Sequence, residues 1–70
     1  MWHPGTLLYR RPDRQGQHPQ GIYTVLAIRQ VAFGTLGAKY HVMFLTDNQF
    51  VEMTELALDL DTWFRVYVRT

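Results

Sequence analysis

In two stretches of this sequence the bulky side chains alternate with a period of two residues, and this alternation restricts the fold more than any other feature. In residues 39–46 one face carries Tyr40, Val42 and Phe44, and the other carries Lys39, His41, Met43 and Leu45. Successive side chains of a β-strand point to opposite faces of the sheet. We therefore predict a strand over residues 39–46, with the first set in the core.

The second stretch with this period is residues 62–69, which we predict to be the last strand. Phe64, Val66 and Val68 share one face and are predicted to lie in the core. The opposite face carries two aromatic rings and two guanidinium groups, which strand geometry would place in a row outside the sheet: Trp63, Arg65, Tyr67 and Arg69.

Three further strands are predicted around these two. Residues 6–10 form a short first strand that Pro12 ends, and residues 22–31, rich in β-branched and aromatic side chains, form a long and bent central strand. Residues 49–53 form the fourth. An exposed loop over residues 11–21, with two prolines and two glycines, joins the first two strands and is long enough to suggest a functional role.

The connections between the later elements are short. Gly34 and Gly37 are predicted to supply positive φ angles for the turn before the third strand. Asp47 and Asn48, whose short side chains tolerate left-handed angles, make the turn after it. Thr54 is predicted to cap a single helical turn that precedes the last strand.

The length and composition of the chain allow one domain over residues 1–70. The 70 residues are 47% hydrophobic and 14% aromatic, which favours a packed core over disorder. There is no cysteine, and no window approaches a membrane-spanning apolar run. We expect an intracellular, cytoplasmic protein without a membrane partner.

Five strands with a long loop after the first and a helical turn before the last follow the element order of an SH3-like barrel. The segments PGTLLYR, GIYTVLAIRQVA, YHVMFLT, QFVEMTEL and WFRVYV resemble small uncharacterised SH3-like barrel proteins of bacteria and phages. The resemblance implies a mainly β fold, a small five-stranded SH3-like barrel, in a bacterial or phage protein. Phe50 departs from it, since such proteins often carry tryptophan in the fourth strand.

The residue types argue against catalysis. The chain lacks both serine and cysteine, so the usual nucleophiles are missing. His3, His18 and His41 lack the close spacing that places two imidazoles on one metal, so we expect no metal and no cofactor. We expect His41 on the surface of its strand, and His3 and His18 to be solvated. Glu55, Asp59 and Asp61 are most simply interpreted as solvated acids near a helix cap.

The charges are divided unevenly between the two halves of the chain. Residues 1–40 carry five basic side chains and one acidic one, a net +4, whereas residues 41–70 carry five acidic and two basic ones, a net −3. The total of +1 argues against a protein that mainly neutralises phosphates. The division could attract an acidic partner, could complement a second copy, or could be neutralised where the two halves meet in one fold.

Two groups of residues are candidates for partner binding. The first is the outward row of the last strand, because interleaved aromatic and arginine side chains anchor protein partners and also stack on bases. The alternative is that Trp63 covers the end of the barrel while arginines extend over aromatic neighbours. The second group lies at the entrance to the long loop, where anions could be contacted: Arg10, Arg11 and Arg14. Trp2 is expected to pack on the barrel or on another chain.

These observations give three functional hypotheses. The first is a non-catalytic interaction module that binds a protein partner through the Trp63 strand and the arginine loop, with self-association into a homo-oligomer left open. The second is a small nucleic-acid-binding barrel that uses the same strand. The third is an enzyme whose active site forms only between subunits.

Overall fold

The computed structural model describes residues 1–67, so the predictions for Val68 and Arg69 lie outside the described residues. The strands are β1 (Leu7–Arg10), β2 (Gly21–Gly34), β3 (Gly37–Thr46), β4 (Gln49–Leu56) and β5 (Phe64–Val66), and the helix α1 (Ala57–Trp63) lies between β4 and β5. The mainly β class and the short helix before the last strand are confirmed.

The five strands form one antiparallel sheet in the order β4-β3-β2-β1-β5. β1 lies between β2 and β5, so the first and last strands of the chain are hydrogen-bonded neighbours. The order is open, ending at β4 and β5, and it is compatible with an SH3-like barrel. This arrangement brings the loop that follows β1 next to the segment that precedes β5.

The predicted turn at Asp47 and Asn48 is confirmed. Their φ angles are 50° and 61°, the left-handed values of a two-residue hairpin turn that matches the twist of the flanking strands. In the β2–β3 hairpin only Gly37 has a positive φ, of 100°. The prediction of a positive angle at Gly34 is wrong, because Gly34 remains paired with Gly37 as the last residue of β2.

The central strand β2 is longer than predicted and irregular, as expected for a bent strand. Its register to β3 shifts between Val25 and Ala27 and again between Gln30 and Ala32. Each shift inserts an extra residue and increases the local twist. Beyond the second shift the hairpin leaves the core, and Phe33 and Leu36 near its tip are 77% and 70% exposed.

The core lies on one face of the sheet. Its buried residues are Leu8, Tyr23, Val25, Val42, Phe44, Met53, Leu60 and Phe64, and Tyr40 is half-buried against them. The alternation in β3 is therefore confirmed. In the last strand it holds for Phe64 but is wrong for Val66, which is 52% exposed because it is the last residue of a three-residue edge strand.

Aromatic rings from distant parts of the chain meet in this core. Trp2 lies 5.6 Å from Phe64 and 6.2 Å from Phe44, between ring centroids, and the Phe44 and Phe64 rings stack at 4.9 Å. As predicted, Trp2 packs on its own domain, against the core of the sheet. Edge-to-face and offset ring pairs of this kind stabilise a core beyond their area burial.

The helix begins later than the sequence indicated. Thr54 does not cap it, because Thr54 is held in β4 opposite His41, whose Nδ1 lies 2.9 Å from the Thr54 hydroxyl oxygen. Leu56 occupies the cap position, and α1 runs for seven residues to Trp63 instead of a single turn. Within residues 1–67 no helix is long and apolar enough to cross a membrane.

Candidate interaction site

The β1–β2 loop, residues 11–20, meets the end of α1. The backbone N–H of Arg11 donates a hydrogen bond of 3.1 Å to the carbonyl of Trp63. Arg10 is paired with Phe64 in the antiparallel ladder between β1 and β5. The residue after Arg10, which is Arg11, therefore lies beside the residue before Phe64, which is Trp63. The structure thus brings together two groups, the loop arginines and Trp63, that are separate in the sequence.

The loop has a defined internal structure. Asp13 accepts two backbone hydrogen bonds, from Gln15 to its Oδ1 at 2.9 Å and from Gly16 to its carbonyl at 3.0 Å. An aspartate side chain that accepts from the backbone two residues later is a common turn former. At the far end, the Tyr23 hydroxyl donates to the Pro19 carbonyl at 2.6 Å. The far end of the loop is therefore held to the core by Tyr23, whereas the Asp13 hydrogen bonds shape the loop internally.

Trp63 does not lie in the outward row of the last strand, so that part of the prediction is wrong. It is the last residue of α1, and its direction is set by the helix and not by strand alternation. Its ring is half-buried against the core. The guanidinium carbons of Arg10 and Arg11 lie 5.2 and 4.9 Å from its centroid, within cation–π range.

This packing matches part of the alternative interpretation, in which Trp63 covers the barrel end beneath arginine side chains. The arginines over the ring are, however, those of the loop and not Arg65 or Arg69. Arg11 is exposed, so its guanidinium lies on the ring while remaining open to solvent.

Arg65 and Tyr67 lie at the exposed surface, as predicted. Arg65 is paired opposite Tyr9, and the Tyr67 backbone N–H donates to the Leu7 carbonyl at 2.9 Å. Tyr9 and Tyr67 are 38% and 40% exposed. Sequence reasoning missed Tyr9 as a member of this surface, although the alternation of β1, with Leu8 inside, placed it outside.

Arg10 lines the cleft together with the other two predicted loop arginines, but unlike them it is buried. It occupies an inward position of β1, two residues after Leu8, and is 5% exposed. Its guanidinium carbon lies 5.1 Å from the centroid of the Phe64 ring, and its Nη2 lies 3.7 Å from Asp13 Oδ2. Arg14, in contrast, is exposed on the loop.

A cleft of 580 Å³ separates the loop from β4 and α1. The loop side is basic and includes Arg10, Arg11, Arg14 and His18. The opposite side includes Glu55 and Asp59, and Leu60 and Phe64 contribute apolar surface. His18 lines this cleft and is half-buried.

A second, smaller hollow of 220 Å³ lies on the other side of the same contact. Its lining includes Tyr9, Asp61 and Arg65, and it shares Arg11, Trp63 and the buried Phe64 with the cleft. Arg11 and Trp63 therefore form a ridge between two concave surfaces. We call this pair of residues the Arg11/Trp63 ridge.

His41 and Glu52 line neither hollow. His41 is on β3, with Nε2 3.9 Å from a Glu52 carboxylate oxygen, which fits its prediction as a residue of the strand surface. Within residues 1–67 no group of three or more histidine or acidic side chains is arranged to hold a metal ion.

No family model, curated protein or solved structure matches this chain. The similarity of its segments to SH3-like proteins of bacteria and phages therefore stays a prediction. The site is defined by its geometry alone.

Proposed function

We propose that this protein is a small non-catalytic interaction module of the cytoplasm that binds a protein partner at the Arg11/Trp63 ridge. The observation that carries the proposal is the exposed guanidinium of Arg11, which lies 4.9 Å from the centroid of the Trp63 ring and between two hollows. A partner that follows the ridge would meet Arg14 on one side and Arg65 on the other.

The physical basis is preorganisation. Arginine and tryptophan dominate the energetics of many protein interfaces because they combine a large contact area with hydrogen-bonding capacity. A guanidinium already stacked on a ring loses less conformational freedom on binding than a free one. The half-exposed rings of Tyr9 and Tyr67 extend this surface along β1 and the segment after β5.

The mixed charge of the site favours a protein over a nucleic acid. Glu55, Asp59 and Asp61 line the same two hollows as the arginines, and their carboxylates would repel successive phosphates of a nucleic-acid backbone. A protein segment that carries charges of both signs is complementary to this pattern.

Affinity selection from a random peptide display library tests the proposal. Selected peptides are synthesised and measured by isothermal titration against the wild type and against Arg11→Ala. We expect Arg11→Ala to weaken binding about tenfold or more, because the stacked guanidinium is lost. The matched control is Arg29→Ala, an exposed arginine of β2 that lines neither hollow, and it should leave the affinity unchanged. Equal affinities of wild type and Arg11→Ala would contradict the proposal.

The same preparations distinguish the other hypotheses. Single- and double-stranded oligonucleotides titrated at low salt should not bind; binding that weakens steeply with salt and depends on Arg11 would replace the protein partner by a nucleic acid. Sedimentation equilibrium identifies a homo-oligomer, and self-association abolished by Arg11→Ala would make a second copy the partner.

A further inference from the structure

Arg10 is a cation that the fold buries beside a cleft. It faces inward because it lies two residues after the buried Leu8 on β1, so its side chain shares the inward face of the strand and lines the cleft. A buried charge is costly unless an opposite charge and hydrogen bonds compensate for the lost water.

Within residues 1–67, the positive charge and the N–H groups of Arg10 are only partly compensated by other groups. Asp13 Oδ2 lies 3.7 Å from Nη2, beyond hydrogen-bonding distance, and Asp13 Oδ1 is already used by the Gln15 backbone. The Trp63 and Phe64 rings attract the cation but satisfy no N–H group. Nε is fully buried and has no hydrogen-bond partner in the described part of the chain.

The geometry points to a carboxylate-binding site at Arg10, in which a carboxylate of the protein partner enters the cleft and replaces Asp13 as the counter-ion. This inference rests on the proposed function, since it specifies the chemistry that the same surface recognises. A carboxylate presents two oxygens in a plane, which matches the paired donors of a guanidinium and would satisfy both Nε and an Nη group.

The opposite wall of the cleft selects for a singly charged group. Glu55 and Asp59 are carboxylates that face the same space, and they disfavour a dianion such as a phosphate more than a single carboxylate. The neighbouring cations Arg11 and Arg14 attract the group to the loop side.

Asp13 occupies the position of the ligand in the unbound chain. It belongs to the loop that forms one wall of the cleft, and it is held by a turn and not by the sheet. Since its ion pair with Arg10 is long, an incoming carboxylate with better geometry competes with it. Removal of the Asp13 charge should therefore strengthen binding.

Nuclear magnetic resonance of the arginine Nε–H groups gives a direct test. The probes are acetylated, amidated Ala-Ala-Glu-Ala-Ala, its Gln analogue, acetylated pentaalanine with a free C-terminal carboxylate, and inorganic phosphate. We expect the Arg10 Nε–H resonance, assigned with Arg10→Lys, to shift with one of the carboxylate peptides and not with the Gln analogue. The responding peptide identifies whether a side-chain or a terminal carboxylate is bound.

Variants add a quantitative criterion. Asp13→Asn should bind the responding peptide about fivefold more tightly or better, and Arg10→Lys about tenfold more weakly, since an ammonium lacks the paired donors. Arg29→Lys is the control and should bind like the wild type. If the Arg10 Nε–H resonance of the wild-type protein does not shift with either carboxylate peptide, the site is refuted, and this measurement does not depend on the folding of any variant. A larger shift with phosphate than with the carboxylate peptides would also refute it. In either case, selected peptides whose affinity falls in Arg11→Ala would still support the proposed interaction module.

Discussion

Tyr23 illustrates how one buried polar group is accommodated. The residue is fully buried among aromatic neighbours, and its hydroxyl reaches the Pro19 carbonyl at 2.6 Å. Burial raises the pKa of the Tyr23 phenol above its ordinary value of 10.0, because the phenolate would lose its hydration, and the positive charge of Arg10 offsets part of this rise. The folded protein therefore favours the neutral phenol, which can donate the hydrogen bond.

The first prediction concerns alkaline stability. Below pH 10.0 Tyr23 is neutral in both states; as the pH rises further, the unfolded chain loses the proton first, so the free energy of unfolding falls until the folded pKa is reached. We expect a contribution of up to about 1.4 kcal/mol per pH unit from this group. Tyr23→Phe should lose about 1 kcal/mol at neutral pH but show a shallower alkaline decline. Urea denaturation of both proteins across this range measures the difference, and identical slopes would contradict the prediction.

At the scale of elements, the β3–β4 turn and α1 each depend on one or two residues. The β3–β4 turn needs left-handed angles at Asp47 and Asn48, and α1 depends on Leu60, its single buried residue. The cap position of α1, Leu56, offers no side-chain hydrogen bond, so the helix is held by packing against the sheet and not by local signals.

The second prediction concerns Asn48, whose φ is 61°. Asn48→Ala should lower the free energy of unfolding by about 1 kcal/mol, because a Cβ without the polar group of asparagine is disfavoured at left-handed angles. Asn48→Gly should keep or slightly raise it, since glycine adopts these angles without steric cost. Chemical denaturation compares the two variants, and a less stable glycine variant would count against the turn geometry.

The third prediction uses two leucines of α1 as a matched pair. Leu60 is 1% exposed and Leu58 is 69% exposed. Leu60→Ala should cost about 3 kcal/mol through lost burial and a cavity, whereas Leu58→Ala should change stability by less than about 0.5 kcal/mol. Thermal and urea denaturation measure both, and equal losses would show that the helix packs through a different face.

At the scale of the whole molecule, one cluster of rings connects the ends of the chain. Trp2 precedes β1, and Phe64 begins β5, yet their rings pack together over Phe44 of β3. The basic first half and the acidic second half of the chain also meet, since basic loop residues and acidic residues of β4 and α1 line one cleft. The fold itself thus brings the two halves together, without excluding a charged partner.

The fourth prediction follows from this shared core. In a Trp63→Phe background, Trp2 is the only tryptophan and reports on the N-terminal segment. Its fluorescence and the far-ultraviolet circular dichroism of the sheet should follow the same urea transition, because both depend on one cooperative cluster. An earlier fluorescence transition would show that the N-terminal segment detaches before the sheet unfolds.

The sequence by itself determined the class and most elements of this protein. Period-two alternation identified β3 and its inward face, and the residue types at Asp47 and Asn48 identified their turn, because both signals act through neighbouring residues. Whether Thr54 would cap a helix or continue a strand was not decided locally, since its pairing partner, His41, lies elsewhere in the chain.

Only the tertiary structure decided the site. The approach of Arg10 to Trp63 and the two hollows beside Arg11 follow from the pairing of β1 with β5, a contact between residues more than fifty positions apart. Such pairing depends on the closure of long loops and on the packing of a shared core, which no local pattern encodes. For this reason the sequence named the arginines and the tryptophan, and the fold determined which of them meet.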